Sequence, residues 1–168
     1  MRPEPRQDER GFFERVWCRD EFEARGLRAG FVQCNRSVSV SPATMRGLHW
    51  QAPPHAEIKL VSCVRGRVFD VIVDVRPDSR TFLRWFGAEL SPENRTMAYV
   101  PEGCAHGYLT LEADSEVMYP VTAGYEPHSE RGLRWDDPAI RIEWPMAPVV
   151  VSPKDQSWPD FDRQETRA

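Results

Sequence analysis

The sequence predicts an all-β fold, a sandwich or jelly-roll barrel with one or two short helices. Three observations carry this prediction: apolar runs of strand length, breaks rich in turn residues between them, and little helical periodicity. Fifteen prolines and ten glycines in 168 residues supply the breaks. A chain of this length fits one domain, which we assign to residues 1–161, and we predict that the polar residues 162–168 form a C-terminal tail.

One short helix can be read near the N-terminus. Asp20 can cap it, Glu23 stands three residues later as the second member of a capping box, and Gly26 can end it. A helix this short connects strands and does not change the fold class.

The clearest strand covers residues 67–75, where the side chains alternate between two faces. One face carries Phe69, Val71, Val73 and Val75, and the other carries Val68, Asp70, Ile72 and Asp74. Arg65 and Gly66 predict a tight turn from a strand at residues 59–64, so the two strands are expected to form a hairpin. Further strands are predicted at residues 81–90, 97–100, 106–111, 116–122 and 140–144.

Charge and hydropathy exclude several classes of protein. The net charge of −4 and the isoelectric point near 5.6 argue against a general nucleic-acid binder, which would present a basic face. The apolar runs are too short to span a bilayer, and the first residues lack the apolar region of a secretory signal. The four cysteines are scattered without a C-x-x-C pair. We therefore expect a cytoplasmic protein that binds neither nucleic acid nor membrane.

Four titratable residues lie inside the strand patterns: His49, Lys59, His106 and Tyr119. In a closed barrel the inward positions of several strands face one cavity, so residues that are distant in sequence can converge. Tyr119 shares the parity of the apolar positions in its strand, and His106 belongs to a polar series unusual for a plain core. Each of them could equally be a hydrogen-bonded core residue.

Six motifs occur in order along the chain and narrow this choice. They are Asp8-Glu9-Arg10-Gly11-Phe12-Phe13, Phe31-Val32-Gln33-Cys34-Asn35, Arg46-Gly47-Leu48-His49, Pro101-Glu102-Gly103-Cys104-Ala105-His106-Gly107-Tyr108, Trp135-Asp136-Asp137-Pro138 and Ser152-Pro153-Lys154-Asp155. Together, from Asp8 to about Phe161, the chain resembles the dTDP-4-dehydrorhamnose 3,5-epimerase family. The resemblance implies a cupin-type jelly roll that epimerises a nucleotide-linked 4-keto-6-deoxy sugar as a homodimer, without cofactor or metal.

The resemblance also implies roles for individual residues. His49 matches the family's base, Asp155 its orienting carboxylate, Lys59 the group that stabilises the enolate, and Tyr119 the acid. Seven further positions match residues that line the substrate and diphosphate cleft: Arg10, Phe13, Gln33, Asn35, Arg46, His106 and Glu130. Only seven residues precede Asp8, so the family's usual first strand is expected to be missing. We expect Arg10 and Phe13 to reach the cleft of the partner.

These residue types suit proton transfer beside a ketone. A histidine, with a reference pKa of about 6.5, can act as a base at cellular pH. A carboxylate bonded to its far nitrogen fixes the tautomer, and a lysine stabilises charge that develops on the ketone oxygen. Inversion needs a second group that delivers a proton to the opposite face, and a tyrosine across the barrel can provide it.

Two alternatives remain open from the sequence. In a metal-dependent cupin oxygenase or isomerase, His49, Glu57 and His106 would form a triad of two histidines and one carboxylate. In a non-catalytic sugar-nucleotide-binding module, His49 and Tyr119 would serve only as hydrogen-bonding groups.

Overall fold

The computed structural model describes residues 1–161 as twelve mostly antiparallel strands and two short helices, a cupin-type jelly roll as predicted. The predicted polar tail at residues 162–168 lies outside the described residues. The strands are β1 (Arg6–Asp8), β2 (Gly11–Phe13), β3 (Gln33–Ser39), β4 (Thr44–Gln51), β5 (Lys59–Arg65), β6 (Val68–Asp74), β7 (Trp85–Leu90), β8 (Met97–Val100), β9 (Cys104–Thr110), β10 (Ser115–Val121), β11 (Glu130–Gly132) and β12 (Val150–Val151). The helices are α1 (Arg19–Glu23) and α2 (Pro153–Gln156).

Two sheets face each other and form the barrel. The four-stranded sheet has the order β3-β10-β5-β8, and the six-stranded sheet has the order β11-β4-β9-β6-β7 with β12 also beside β4. The strands β1 and β2 pair only with each other, in a separate hairpin. Within residues 1–161 no helix is long and apolar enough to cross a membrane.

The core has an inner and an outer part. Between the two sheets, side chains such as Val61, Val68 and Val117 are fully or almost fully buried. On the outer face of the six-stranded sheet, a second cluster that includes Val71 and Val73 packs against the segment after β11. Both faces of β6 are therefore buried, and the alternation read from the sequence divides them correctly.

The predicted hairpin of residues 59–64 and 67–75 is wrong. The strand β5 pairs with β8 and β10, whereas β6 pairs with β7 and β9 in the other sheet. The turn at Arg65 and Gly66 thus carries the chain from one sheet to the other. A turn signal cannot distinguish these two outcomes, because both need the same tight reversal and the positive φ of Gly66.

Two other local predictions fail, and the strand predicted at residues 81–90 begins only at Trp85. The N-cap of α1 is Cys18, without a side-chain cap bond, so Asp20 lies in the first turn and forms no capping box. Residues 140–144 are not a strand, although Ile140, Ile142 and Trp144 all join the outer apolar cluster. Their segment crosses the face of the six-stranded sheet, where no strand edge is available to pair with its backbone.

Candidate active site

A cavity of about 560 Å³ opens between the two sheets. Its lining comprises Ser37, Thr44, Met45, Arg46, His49, Lys59, His106, Gly107, Tyr108, Tyr119, Val150, Val151, Ser152, Pro153, Lys154 and Asp155. The six-stranded sheet contributes both histidines, the four-stranded sheet contributes Lys59 and Tyr119, and the segment with β12 and α2 closes one side.

A bulge in β4 brings Arg46 and His49 to the same cavity. Residues three apart normally face opposite sides of a strand, but here Arg46 pairs with Tyr108 and His49 pairs with His106, so β4 contains one extra residue. Gly47 makes this possible with φ of 109°, because a Cβ there would lie 2.7 Å from the Cα of Gly107.

His49 and Asp155 form a hydrogen-bonded pair. The Nε2 atom of His49 lies 2.6 Å from Oδ1 of Asp155, whose side chain is only 6% exposed. An ionised carboxylate can only accept, so Nε2 carries the proton and Nδ1 is left with a lone pair. Nδ1 makes no hydrogen bond with residues 1–161. The imidazole is thus oriented by one nitrogen and able to accept a proton at the other.

The short helix α2 fixes the carboxylate. Ser152 caps this helix by accepting a hydrogen bond from the backbone N–H of Asp155 at 3.0 Å. Burial by itself would raise the pKa of Asp155, but the bond and charge of His49, with contacts from Ser152 and Gly47, outweigh it. They hold the pKa of Asp155 below its usual range. Asp155 therefore stays ionised beside the imidazole at neutral pH.

Lys59 and Tyr119 stand on the sheet opposite His49. Lys59 pairs in register with Val121, two residues from Tyr119, and its ammonium forms an ion pair with Glu57. Burial, and then the negative charge of Glu57, raise the pKa of Tyr119. The phenol is consequently a protonated donor at neutral pH.

His106 forms a second pair, with Asp70 of β6. Its Nε2 atom lies 2.7 Å from Oδ2 of Asp70, and the two side chains are 6% and 1% exposed. Next to it, Tyr108 donates a hydrogen bond to Ser37 at 2.9 Å, and burial raises the pKa of Tyr108 to about 12. The His106–Asp70 pair joins the adjacent strands β9 and β6 of the six-stranded sheet, whereas the Tyr108–Ser37 bond crosses the barrel interior to the four-stranded sheet.

Cationic groups stand at the open side of the cavity. Arg46 donates to the hydroxyl of Ser39 at 2.9 Å and to the carbonyl of Val38 at 3.0 Å. Lys154 bonds Glu130 at 2.6 Å, and Glu130 also accepts from the hydroxyl of Tyr125 at 2.7 Å. The exposed guanidinium of Arg46 suits an anionic ligand, whereas the ammonium of Lys154 is already paired with Glu130.

The predicted site residues divide into three groups. His49, Asp155, Lys59, Tyr119, Arg46 and His106 line one cavity. Gln33, Asn35 and Glu130 flank it: Asn35 is the register partner of Tyr119 and receives a hydrogen bond from Gln33, and Glu130 holds Lys154. Arg10 and Phe13 lie elsewhere, on the β1–β2 hairpin, with Arg10 bonded to Asp8 and Phe13 65% exposed.

The sequence reading omitted four residues that belong to this site: Ser37, Asp70, Tyr108 and Lys154. Asp70 gave a signal, because a carboxylate alternating with Val68 and Ile72 must find a partner inside the barrel. Lys154 stood inside the motif that supplied Asp155.

The metal alternative requires three side chains that already have other hydrogen-bonding partners. Glu57 pairs with Lys59, while His49 and His106 each use Nε2 to bond a different aspartate. Among residues 1–161, no group of three histidine, cysteine, aspartate or glutamate side chains is placed to hold a metal ion.

Comparison with known proteins agrees with this geometry. The family model of dTDP-4-dehydrorhamnose 3,5-epimerase matches residues 1–163. The enzyme of that name from Sinorhizobium fredii is 49% identical over 162 residues, covering 96% of this chain and 83% of its own length.

Solved structures give the same result for the fold. The dTDP-4-dehydrorhamnose 3,5-epimerase of Bacillus anthracis, solved with TDP and PPi bound, superposes with a TM-score of 0.92 at 39% identity, covering 95% of this chain and 91% of the other. The dTDP-6-deoxy-D-glucose-3,5-epimerase of Legionella pneumophila, in complex with dTDP-4-keto-L-rhamnose, gives 0.87 at 40% identity, covering 93% and 83%. The chain belongs to the dTDP-4-dehydrorhamnose 3,5-epimerase family of isomerases.

Proposed function

We propose that this chain inverts C3, C5 or both carbons of a nucleoside-diphosphate 4-keto-6-deoxyhexose, with dTDP-4-dehydro-6-deoxyglucose as the first substrate to test. One observation carries the proposal: an oriented histidine and a protonated tyrosine face a single cavity from opposite sheets. A planar intermediate between them can lose a proton on one face and gain one on the other. The relatives' names supply the substrate class, and we assign the reaction to deoxysugar biosynthesis.

The proposed reaction begins at His49. Its free nitrogen takes the proton from the carbon next to the ketone, and the electrons of the broken C–H bond form an enolate. The imidazolium that results is stabilised by the ionised Asp155. The negative charge falls on the ketone oxygen, where the ammonium of Lys59 can stabilise it.

Tyr119 completes the inversion. Its hydroxyl gives a proton to the opposite face of the same carbon, and the enolate returns to a ketone. His49 then releases its extra proton to solvent and Tyr119 recovers one, so that both groups are reset. No net charge or electron is gained, because the reaction only changes the configuration of the carbon.

The experiment is incubation of the protein with dTDP-4-dehydro-6-deoxyglucose in heavy water, followed by NMR of the recovered sugar. Deuterium at C3, at C5 or at both identifies the inverted positions. His49→Ala serves as the control for exchange without the enzyme's base. If the wild-type protein introduces no deuterium at either carbon, the proposal is wrong.

We propose that the reaction needs no metal. The geometry supports this, because the three candidate ligands already have other partners and Lys59 supplies positive charge at the ketone. The expected result is full exchange activity after dialysis against a chelator. Activity that disappears and then returns with one divalent ion would favour the metal-dependent alternative.

We further propose that the chain acts as a homodimer. The outer face of the four-stranded sheet exposes Val38, Val64 and Met118 by 46%, 44% and 41%, and within residues 1–161 the strand β3 has only one neighbour. A second copy would cover this face and its edge. The projecting hairpin with Arg10 and the exposed Phe13 could then enter the partner's cavity.

Mixing two defective variants tests this arrangement. Arg10→Ala and His49→Ala each damage every site when alone. In a mixed dimer, the subunit with an intact His49 would receive an intact Arg10 from its partner, so exchange should reappear after the proteins are mixed and allowed to equilibrate. A monomer in light scattering, or no recovery between variants that form mixed dimers, would count against the proposal.

A cytoplasmic location is also proposed. The four cysteines are free thiols, and a protein that keeps unpaired thiols fits a reducing compartment.

A further inference from the structure

Glu57 is a charged group beside the cavity to which the proposed reaction gives no task. Its carboxylate forms an ion pair with the ammonium of Lys59, and the two side chains are only 12% and 8% exposed. Among residues 1–161, neither side chain makes another hydrogen bond or ion pair. The pair is therefore a closed unit, buried at the edge of the cavity.

The placement of this pair follows from the chain. Glu57 precedes the first residue of β5, and Ile58 between them is bonded through its backbone to Thr122 at 2.8 Å. Alternation puts the side chains of residues 57 and 59 on one side of the strand. That side is the one on which Tyr119 of the neighbouring strand lines the cavity.

Burial makes this arrangement energetically important. An ammonium taken out of water is costly unless a counter-charge and hydrogen bonds compensate it. Glu57 supplies both to Lys59. The same negative charge also acts on the phenol, because after burial it is the main cause that raises the pKa of Tyr119, while Arg46 acts in the opposite direction.

We propose that Glu57 is a positioning residue of this enzyme, which anchors the ammonium of Lys59 and places a negative charge near the hydroxyl of Tyr119. Glu57 is not among the residues that line the cavity, so it acts through these two neighbours and not on the sugar. The inference rests on the function proposed above, because it presupposes that Lys59 and Tyr119 handle the enolate. One carboxylate would thereby act on both groups that the four-stranded sheet contributes to the reaction.

Tyrosine titration in the absence of substrate is the direct test. Ultraviolet absorbance follows the ionisation of the phenols, and the difference between wild type and Tyr119→Phe isolates the signal of Tyr119. In Glu57→Gln this signal should move to lower pH, because a negative charge that disfavours the phenolate is removed. The other charged or titratable residues around the cavity stay the same in this variant: Arg46, His49, Lys59, His106, Tyr108, Lys154 and Asp155.

Glu57→Asp provides a second variant, in which the buried pair keeps one negative and one positive charge. The shorter side chain withdraws the carboxylate from both neighbours, so the shift should have the same direction and a smaller size. This variant also keeps the test decisive if Glu57→Gln does not fold. Glu112→Gln is the matched control, because Glu112 pairs with Arg67 at the surface and its side chain is 51% exposed.

The pH profile of turnover provides the functional readout. In Glu57→Gln, the ratio of inversion to deuterium exchange should begin to fall at a lower pH than in wild type, because the phenol of Tyr119 ionises earlier. A purely structural role would lower the stability and leave this ratio and the titration unchanged. An unchanged Tyr119 titration in both Glu57 variants would overturn the inference. A wild-type protein without any exchange would instead overturn the proposed function, so the two failures can be told apart.

Discussion

The cavity contains two histidine–aspartate pairs that look alike and lie side by side. His49 and His106 are register partners on adjacent strands, and each uses Nε2 to bond a carboxylate at 2.6 or 2.7 Å. They differ in access, since the side chain of His49 is 32% exposed and that of His106 is 6% exposed. Their aspartates also lie on different elements. Asp155, the partner of His49, lies on the short helix α2, whereas Asp70, the partner of His106, lies on the strand β6.

The comparison shows that two pairs of the same residue types can have different roles, because their exposure to the cavity differs. A base must reach the proton that it removes and exchange its own proton with water, which an imidazole one-third exposed can do. A pair buried between two adjacent strands of one sheet mainly holds those strands in place, and it offers the ligand a fixed polar wall. We therefore expect His49 variants to lose activity and His106 variants to lose stability.

The largest expected effect is that of His49→Ala on exchange. Removing the base should lower both deuterium exchange and inversion by about 10²- to 10⁴-fold, the usual contribution of a general base. The circular dichroism spectrum should remain that of the wild type. Exchange above about a tenth of the wild-type rate would mean that the base is another group.

Tyr119→Phe tests the proposed acid, which lies on the sheet opposite His49. Because His49 and Lys59 remain, the proton should still leave and exchange should continue, while inversion becomes far slower, by about 10²-fold or more. Measuring both rates on one sample gives their ratio. If Tyr119 only packs, the loss of its hydroxyl costs about 1 kcal/mol of stability and leaves that ratio unchanged.

His106→Asn should mainly lower the stability of the protein, whereas the His49 variants should mainly lower its activity. The change leaves the carboxylate of Asp70 buried without its partner, which typically costs about 3 kcal/mol or more in the free energy of unfolding. Urea denaturation measures this loss, with His49→Asn as the matched control in a more exposed pair. Equal losses for the two variants would break the distinction between the pairs.

Asp155→Asn should reduce exchange less than His49→Ala does. The carboxylate only orients and polarises the imidazole, which itself remains in Asp155→Asn, so the loss should be about 10- to 100-fold smaller than that in His49→Ala. Parallel rate measurements on the two variants decide the order. A loss in Asp155→Asn as large as that in His49→Ala would show that the imidazole cannot act without its partner.

The smallest effect concerns pH and stability at Asp155. Because its pKa is lowered in the folded protein, the charged form contributes stability above the unfolded value of about 3.9, and this contribution is lost as the pH falls through the folded value. The stability difference between wild type and Asp155→Asn should thus be largest near neutral pH and shrink below about pH 4. A difference that stays constant with pH would contradict the lowered pKa.

The sequence by itself determined the fold class and most of the strands. The alternation in residues 67–75 correctly assigns the side chains to an inner and an outer face. This is possible because the two faces of a strand depend only on the local geometry of the backbone. The motifs were sufficient for the family, and the resemblance that they carry assigned roles to six residues that line one cavity. These inferences need only short-range patterns and their order along the chain.

Which side chains come into contact was decided only by the tertiary structure. The bulge that turns Arg46 and His49 to the same side depends on the contact of Gly47 with Gly107, about sixty residues away. After β5 the chain passes from one sheet to the other, and Asp70 pairs with His106. Both features likewise depend on strands that become neighbours only after folding. Local signals specify where a strand begins and which face is apolar, but partners are chosen by the packing of distant segments, and this choice creates the site.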